Sequence, residues 1–211
     1  MDEEGAPARL TARGAATRAR MVRAAADLIR VKGSSATSVD DVLRASATGK
    51  SQFYKYFGDK ESLIVAATEY QSAVFLGGQA AVLENLRNVR GLRRWRDALV
   101  QSNSLQNGAY GCMIGSLAIE IGATNERARL VLDDAFVQWQ GLLEAGLRRM
   151  QTLGVLSAEA EVAELATGLI AAVEGGYLLG QVAHSTDPVA ISIDVALARI
   201  EKLIIPPKAS A

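Results

Sequence analysis

Lys50, Ser51 and Gln52 stand consecutively, Tyr54, Lys55 and Tyr56 follow one residue later, and Lys60 lies four residues beyond. These are the side chains that nucleic acid binds. Lysine reaches guanine acceptors and glutamine pairs with adenine at base edges, while ammonium, tyrosine and serine or threonine groups suit phosphate oxygens. Phe53 and Phe57, four apart, supply an inward-facing pair, so the tyrosines and lysines between them point elsewhere. Lys50, Ser51 and Gln52 are therefore expected at base edges. Tyr54, Lys55, Tyr56 and Lys60, with Ser38 or Thr37 at the cap of the preceding helix, are expected at phosphates.

Such a surface needs a scaffold, and residues 38–60 encode one. Ser38 is a good helix N-cap, Asp40 and Asp41 occupy the first turn where the helix dipole favours carboxylates, and Val39, Val42 and Leu43 give one apolar side. That helix should end near Ala45 or Ser46. Ala47, Thr48 and Gly49 then break the pattern, and Gly49 is expected to supply the unusual backbone angles of the turn. A second helix opens at Lys50. Upstream, residues 1–16 read as a mobile arm in which Arg9 and Arg13 contact nothing specific. Thr17 caps a first helix with Met21, Val22, Ala25, Leu28 and Ile29 inward, and Gly33 ends it. Asp59 caps a long helix running from Lys60 toward Leu86. The expected division is an arm at 1–16, a helix-turn-helix DNA-binding domain at 17–62, and a larger domain at 63–211.

The run F-Y-K-Y-F-x-D-K-E-S-L at residues 53–63, with the amphipathic helix and Gly33 before it, resembles the TetR family of bacterial transcriptional regulators. The tract Y-G-C-M-I-G-S-L-A-I-E at residues 110–120 is similar to the LmrA/YxaF-like branch. Where many family members carry glycine in the turn, this chain has Ala47. The resemblance implies an all-α fold: an N-terminal three-helix helix-turn-helix domain and a larger helical ligand-binding and dimerisation domain. It further implies a homodimer that binds a palindromic double-stranded operator, most often as a repressor, and is released by a small lipophilic effector.

Composition agrees with that class. The 211 residues are 49% hydrophobic and 22% charged, with four prolines and no alternating β-branched runs, so long helices and a sizeable core are expected. Net charge is zero but unevenly placed. Residues 1–60 hold 11 Lys/Arg against 7 Asp/Glu, and residues 61–211 hold 12 against 16. Local positive charge is what phosphate neutralisation requires. One cysteine excludes an internal disulfide, no N-terminal run has the apolar core of a signal peptide, and a cytoplasmic location is expected. Residues 165–183 form the one run long and apolar enough to suggest a membrane span. Glu174 at its middle costs about 2.5–3.5 kcal/mol on insertion, so a buried helix without membrane contact is expected.

Enzymatic readings lack a constellation. Gly49-Lys50-Ser51 imitates the end of a phosphate-binding loop, but Arg44 stands where its first glycine belongs. His184 is the only histidine and no serine has a nucleophile-elbow context, so neither a triad nor a metal site is expected, and no cofactor.

In the larger domain, Tyr70, Tyr110, Cys112, Met113, Phe136, Trp139, Glu174 and Tyr177 are the expected effector contacts, aromatics and methionine suiting an apolar ligand with a few polar anchors. Glu174 needs a partner: a ligand, an arginine, or a polar group across a dimer. Cys112 admits a second reading, in which the chain is a repressor sensing electrophiles or oxidants; a third is a structural DNA-binding protein without an effector. Gly168, Ala172, Gly176 and Gly180 recur every four residues on the penultimate helix, and Ile193, Leu197 and Ile200 line the last one. By the resemblance these two helices pair with their symmetry mates, and the seven residues are the expected dimer interface.

Overall fold

The computed structural model describes residues 10–104 and 111–206, which form nine helices. They divide into two compact units, residues 1–70 and 71–211.

In the first unit, α1 (Ala12–Lys32) starts six residues earlier than expected, so residues 12–16 belong to the helix and not to an arm. Thr11 is its cap, accepting from the Gly14 N–H, and the Thr17 hydroxyl instead donates to the Arg13 carbonyl inside the helix. Met21, Val22, Ala25 and Ile29 form the buried stripe, and Gly33 closes the helix at φ 83°. Helix α2 (Val39–Ser46) carries a capping box: Ser38 Oγ accepts from the Asp41 N–H, and the Asp41 carboxylate accepts from the Ser38 N–H. A three-residue turn leads to α3 (Lys50–Tyr56). Here the expectation for Gly49 is corrected. Ala47 takes the left-handed conformation, φ 51° and ψ 51°, whereas Gly49 is extended at φ −108° and serves as the cap of α3. The turn closes by hydrogen bonds from the Ala47 and Thr48 N–H groups back to Arg44 and Leu43, and that closure places the special angles two residues before the glycine. The Asp59 carboxylate then accepts from the Ser62 N–H and starts α4 (Lys60–Leu83).

The second unit holds the rest of α4 and five further helices: α5 (Val89–Ser104), α6 (Met113–Ile121), α7 (Glu126–Thr152), α8 (Val162–Ala183) and α9 (Asp187–Glu201). Helix α4 has no basic residue in its last turn, and Arg149 of α7 does that work, donating to the carbonyls of Leu83 and Leu86. Trp95 of α5 and Trp139 of α7 are both fully buried, and both indole N–H groups donate to Gln79 Oε1, at 2.9 and 3.1 Å. One amide oxygen thus ties three helices while leaving neither indole unsatisfied. Pro188 in the first turn of α9 and His184 in the left-handed conformation at the end of α8 make a tight corner, and these two helices pack most closely of all. Helix α8 is long and apolar enough by composition to cross a membrane, but its inward residues Leu165, Leu169, Val173 and Tyr177 are buried in this unit. Among the described residues the only strand-like pairing is an isolated bridge between Leu156 and Ile204.

Candidate functional site

Helix α3 divides sharply by face. Phe53, 1% exposed, and Phe57 are inside, their rings 5.8 Å apart, and burial of the Phe53 ring contributes about 1.5–3 kcal/mol to holding the helix in place. Lys50, Ser51, Gln52, Tyr54 and Lys55 point outward, Tyr54 at 64% exposure with its ring edge-on to Phe53. Gln52 Oε1 accepts from the Gly49 N–H, so its amide nitrogen is directed outward at the start of the helix. Tyr56 is half-buried with the Lys55 ammonium over its ring, and Lys60 is half-buried along a small cleft lined by Ala25, Ile29, Ser38 and Leu63. Ser38 is exposed at the cap of α2. Thr37 departs from expectation: it is buried, and its hydroxyl donates to the Gly33 carbonyl at 2.6 Å. That bond locks the corner between α1 and α2 and leaves the hydroxyl unable to face a phosphate.

Two carboxylates in the first turn of α2 belong to the same surface. Asp41 is paired with Lys32 at 2.6 Å and Arg44 at 3.0 Å, and the bonds it accepts from Lys32 and Ser38 hold its carboxyl far below the usual range. Asp40 lies 3.4 Å from the ammonium of Lys50. From the sequence alone both are visible only as partners of the helix dipole.

In the second unit three of the expected effector contacts come together. The carboxyl group of Glu174 (α8) and the thiol of Cys112, at the cap of α6, form a hydrogen-bonded pair, and Tyr177 is their neighbour one turn along α8. Burial drives all three pKa values upward, and Glu174 reinforces the rise at both Cys112 and Tyr177. Glu174 Oε1 is buried without a hydrogen-bond partner among the described residues, as is the amide nitrogen of Asn103. Gly115 makes room for the carboxyl group, since a Cβ there would collide with Glu174 Oε2. The Tyr177 hydroxyl donates to the Leu99 carbonyl at 3.5 Å, one turn of α5 before Asn103. Phe136 and Trp139 belong to a separate aromatic group with Phe75, whose ring stands edge-on to Trp139 at 4.9 Å. Met113 is half-buried beside Cys112, Tyr70 is 38% exposed at the end of the first unit, and Tyr110 lies outside the described residues.

Residues 21–67 match the family model for the N-terminal region of TetR-family bacterial regulatory proteins, and residues 88–193 match that for the C-terminal domain of LmrA/YxaF-like transcriptional regulators. The chain belongs to the TetR family. It is a DNA-binding transcriptional regulator and not an enzyme. An uncharacterised HTH-type regulator of Mycobacterium tuberculosis is 30% identical over 179 residues, 81% of this chain and 87% of that protein. Another, from the lacX 3' region of Lactococcus lactis, is 27% identical over 192 residues, 89% and 94% of the two chains. The crystal structure of a TetR regulatory protein from Rhodobacter sphaeroides superposes with a TM-score of 0.75 over 90% of this chain and 99% of that one, at 24% identity, and shows the shared fold.

On the last two helices the expectation for the small-residue row is corrected. Gly176, Gly180, Ile193, Leu197 and Ile200 are all buried inside the chain. A Cβ at Gly176 would collide with Ser192 Oγ and stand 2.7 Å from Val189 Cα, and one at Gly180 would stand 2.6 Å from the Ser185 carbonyl oxygen. These glycines let α8 approach α9 of the same chain, so they are unavailable to a partner. Ala172 is half-buried and Gly168 is outward, with open space where its Cβ would be. The exposed row on α8 runs Glu164, Gly168, Ala171, Gly175, Leu178 and Val182, and that on α9 runs Ile191, Val195 and Ala198. Val182 is 78% exposed and Val195 69%.

Proposed function

We propose that the chain is a ligand-responsive repressor that binds a palindromic operator as a homodimer. The observation that carries this reading is α3: a helix pinned by Phe53 and Phe57 that turns Lys50, Ser51, Gln52, Tyr54 and Lys55 outward together. In this reading Lys50, Ser51 and Gln52 meet base edges in the major groove, and Ser38, Tyr54, Lys55, Tyr56 and Lys60 meet phosphates. The exposed apolar rows of α8 and α9 pair with a second copy, setting two copies of α3 about one helical turn of DNA apart, on the order of 34–36 Å.

The effector side rests on the Glu174 cluster. A buried carboxyl oxygen with no hydrogen-bond partner among the described residues, on a largely apolar helix, suits a small, largely apolar molecule with one polar end. The ligand acts by preferring the spacing that does not fit the operator, shifting the population by its differential affinity, and α4, whose residues fall in both units, carries the change. The electrophile-sensing alternative is disfavoured, because burial and the adjacent carboxyl group push the Cys112 thiol away from the reactive thiolate. The setting for this activity is the cytoplasm. Footprinting on DNA immediately upstream of the chain's own gene, repeated with a panel of lipophilic compounds, should show a protected palindrome whose protection one compound relieves. Absence of protection on that DNA and on duplexes from a random library would overturn the reading.

A further inference from the structure

The two acidic residues of α2 are balanced in opposite ways. Asp41 is neutralised inside its own unit by Lys32, Arg44 and Ser38. Asp40 is paired differently: among the described residues its ion pair is with Lys50, the first residue of the helix proposed to read bases, at 3.4 Å with both side chains largely exposed. Any duplex that reaches the Lys50 ammonium therefore also approaches a carboxylate. A carboxylate on a DNA-facing surface weakens binding to every sequence, and the dipole of α2 that favours an acid at this position does not require Lys50 opposite it.

Geometry supplies a reason for the pairing. Lysine carries three donors on a flexible four-carbon stem and, left free, swings to the nearest phosphate of any duplex. A carboxylate that takes one of those donors confines the ammonium and leaves the others for base acceptors such as guanine O6 and N7. We propose that Asp40 is a positioning residue for specificity, which holds Lys50 over the base edges and keeps it from the phosphate backbone. The inference rests on the reading of α3 given above. On an operator the ion pair survives alongside the base contact. On unrelated DNA, Lys50 can gain a phosphate only by leaving Asp40.

Asp40→Asn keeps a polar residue in the first turn of α2 and removes the tether. Base preference is read by selection from a random duplex library, and affinity for unrelated DNA by competition against poly(dA-dT), which has no guanine O6. The variant should bind poly(dA-dT) about two- to five-fold more tightly, the range expected for an exposed ion pair. Its salt dependence should steepen by about one phosphate equivalent. Preference at one position per half-site should flatten, while the other positions hold. In a Lys50→Ala background the same substitution should leave base preference as it was, and Asp40→Glu, which restores the charge, should recover the preference of the native chain. An unchanged preference profile in Asp40→Asn, or an equal change with and without Lys50, would overturn the proposal. If Lys50→Ala itself altered no base preference, the base-reading role of Lys50 would fall, and the proposal with it.

Discussion

Ala47→Gly should stabilise the DNA-binding unit, and the size of the gain follows from the backbone. Ala47 sits at φ 51° and ψ 51°, where an L-residue with a Cβ is penalised by about 1–2 kcal/mol. Glycine removes that penalty but adds freedom to the unfolded chain, which returns about 0.5–1 kcal/mol. The methyl group of Ala47 is exposed, so its loss uncovers no core. The hydrogen bonds that close the turn use only backbone groups and persist in the variant. The net gain lies between about 0 and 1.5 kcal/mol, centred on about 0.75 kcal/mol, which is roughly 1.5–3 °C in the thermal midpoint for a chain of this size. Urea unfolding followed together with hydrogen exchange of the α2 and α3 amides measures it, because exchange isolates the first unit from the second. Ala47→Val, which adds β-branching at the same angles, should move both readouts the other way. A midpoint and protection that fall in Ala47→Gly would refute the argument that strain resides at this residue.

Three further outcomes follow from the second unit and the α2 cap. Gly176→Ala should lower stability by about 1–3 kcal/mol in urea unfolding, because its methyl meets α9 of the same chain, whereas Gly175→Ala should fold normally yet weaken self-association in sedimentation. Glu174 has a raised folded pKa, so its contribution is favourable below the unfolded value and is lost as pH climbs through the folded one; Glu174→Gln should therefore gain stability over the native chain as pH rises above the ordinary carboxylate value, and parallel stability curves would contradict this. Asp41 has a depressed folded pKa, so its stabilisation is present above the ordinary carboxylate value and disappears as pH falls; Asp41→Asn should show a shallower loss of stability below about pH 4 in acid titration followed by circular dichroism.

Local signals in the sequence specified local structure well. Ser38, Asp59 and Gly33 are caps whose chemistry acts within three or four residues, and each bounds a helix as read. Phe53 and Phe57 were legible as an inward pair because four-residue spacing alone puts them on one side. Where the choice lay between equivalent local signals, the deciding partner was distant in sequence. Thr11 and Thr17 are both adequate caps, and Gly14 disguised the alanine-rich first turn that lies between them. Helix α8 carries two rows of small residues, and only the position of Val189 and Ser192 shows that the row through Gly176 and Gly180 faces its own chain. The tie between Asp40 and Lys50 crosses the turn, so it follows from the angle between two helices and not from spacing on either. The same holds for Glu174, whose partner is the thiol of a different helix and not one of the arginines the composition offered.

The central claim is that two copies of this chain, joined through α8 and α9, present two α3 helices to one duplex. Sedimentation equilibrium of the purified chain with a duplex recovered by selection tests this most directly. Two chains bound to each full palindrome, with markedly weaker binding to a duplex carrying a single half-site, is the predicted result. One chain per palindrome, or equal affinity for the half-site and the whole, would contradict it.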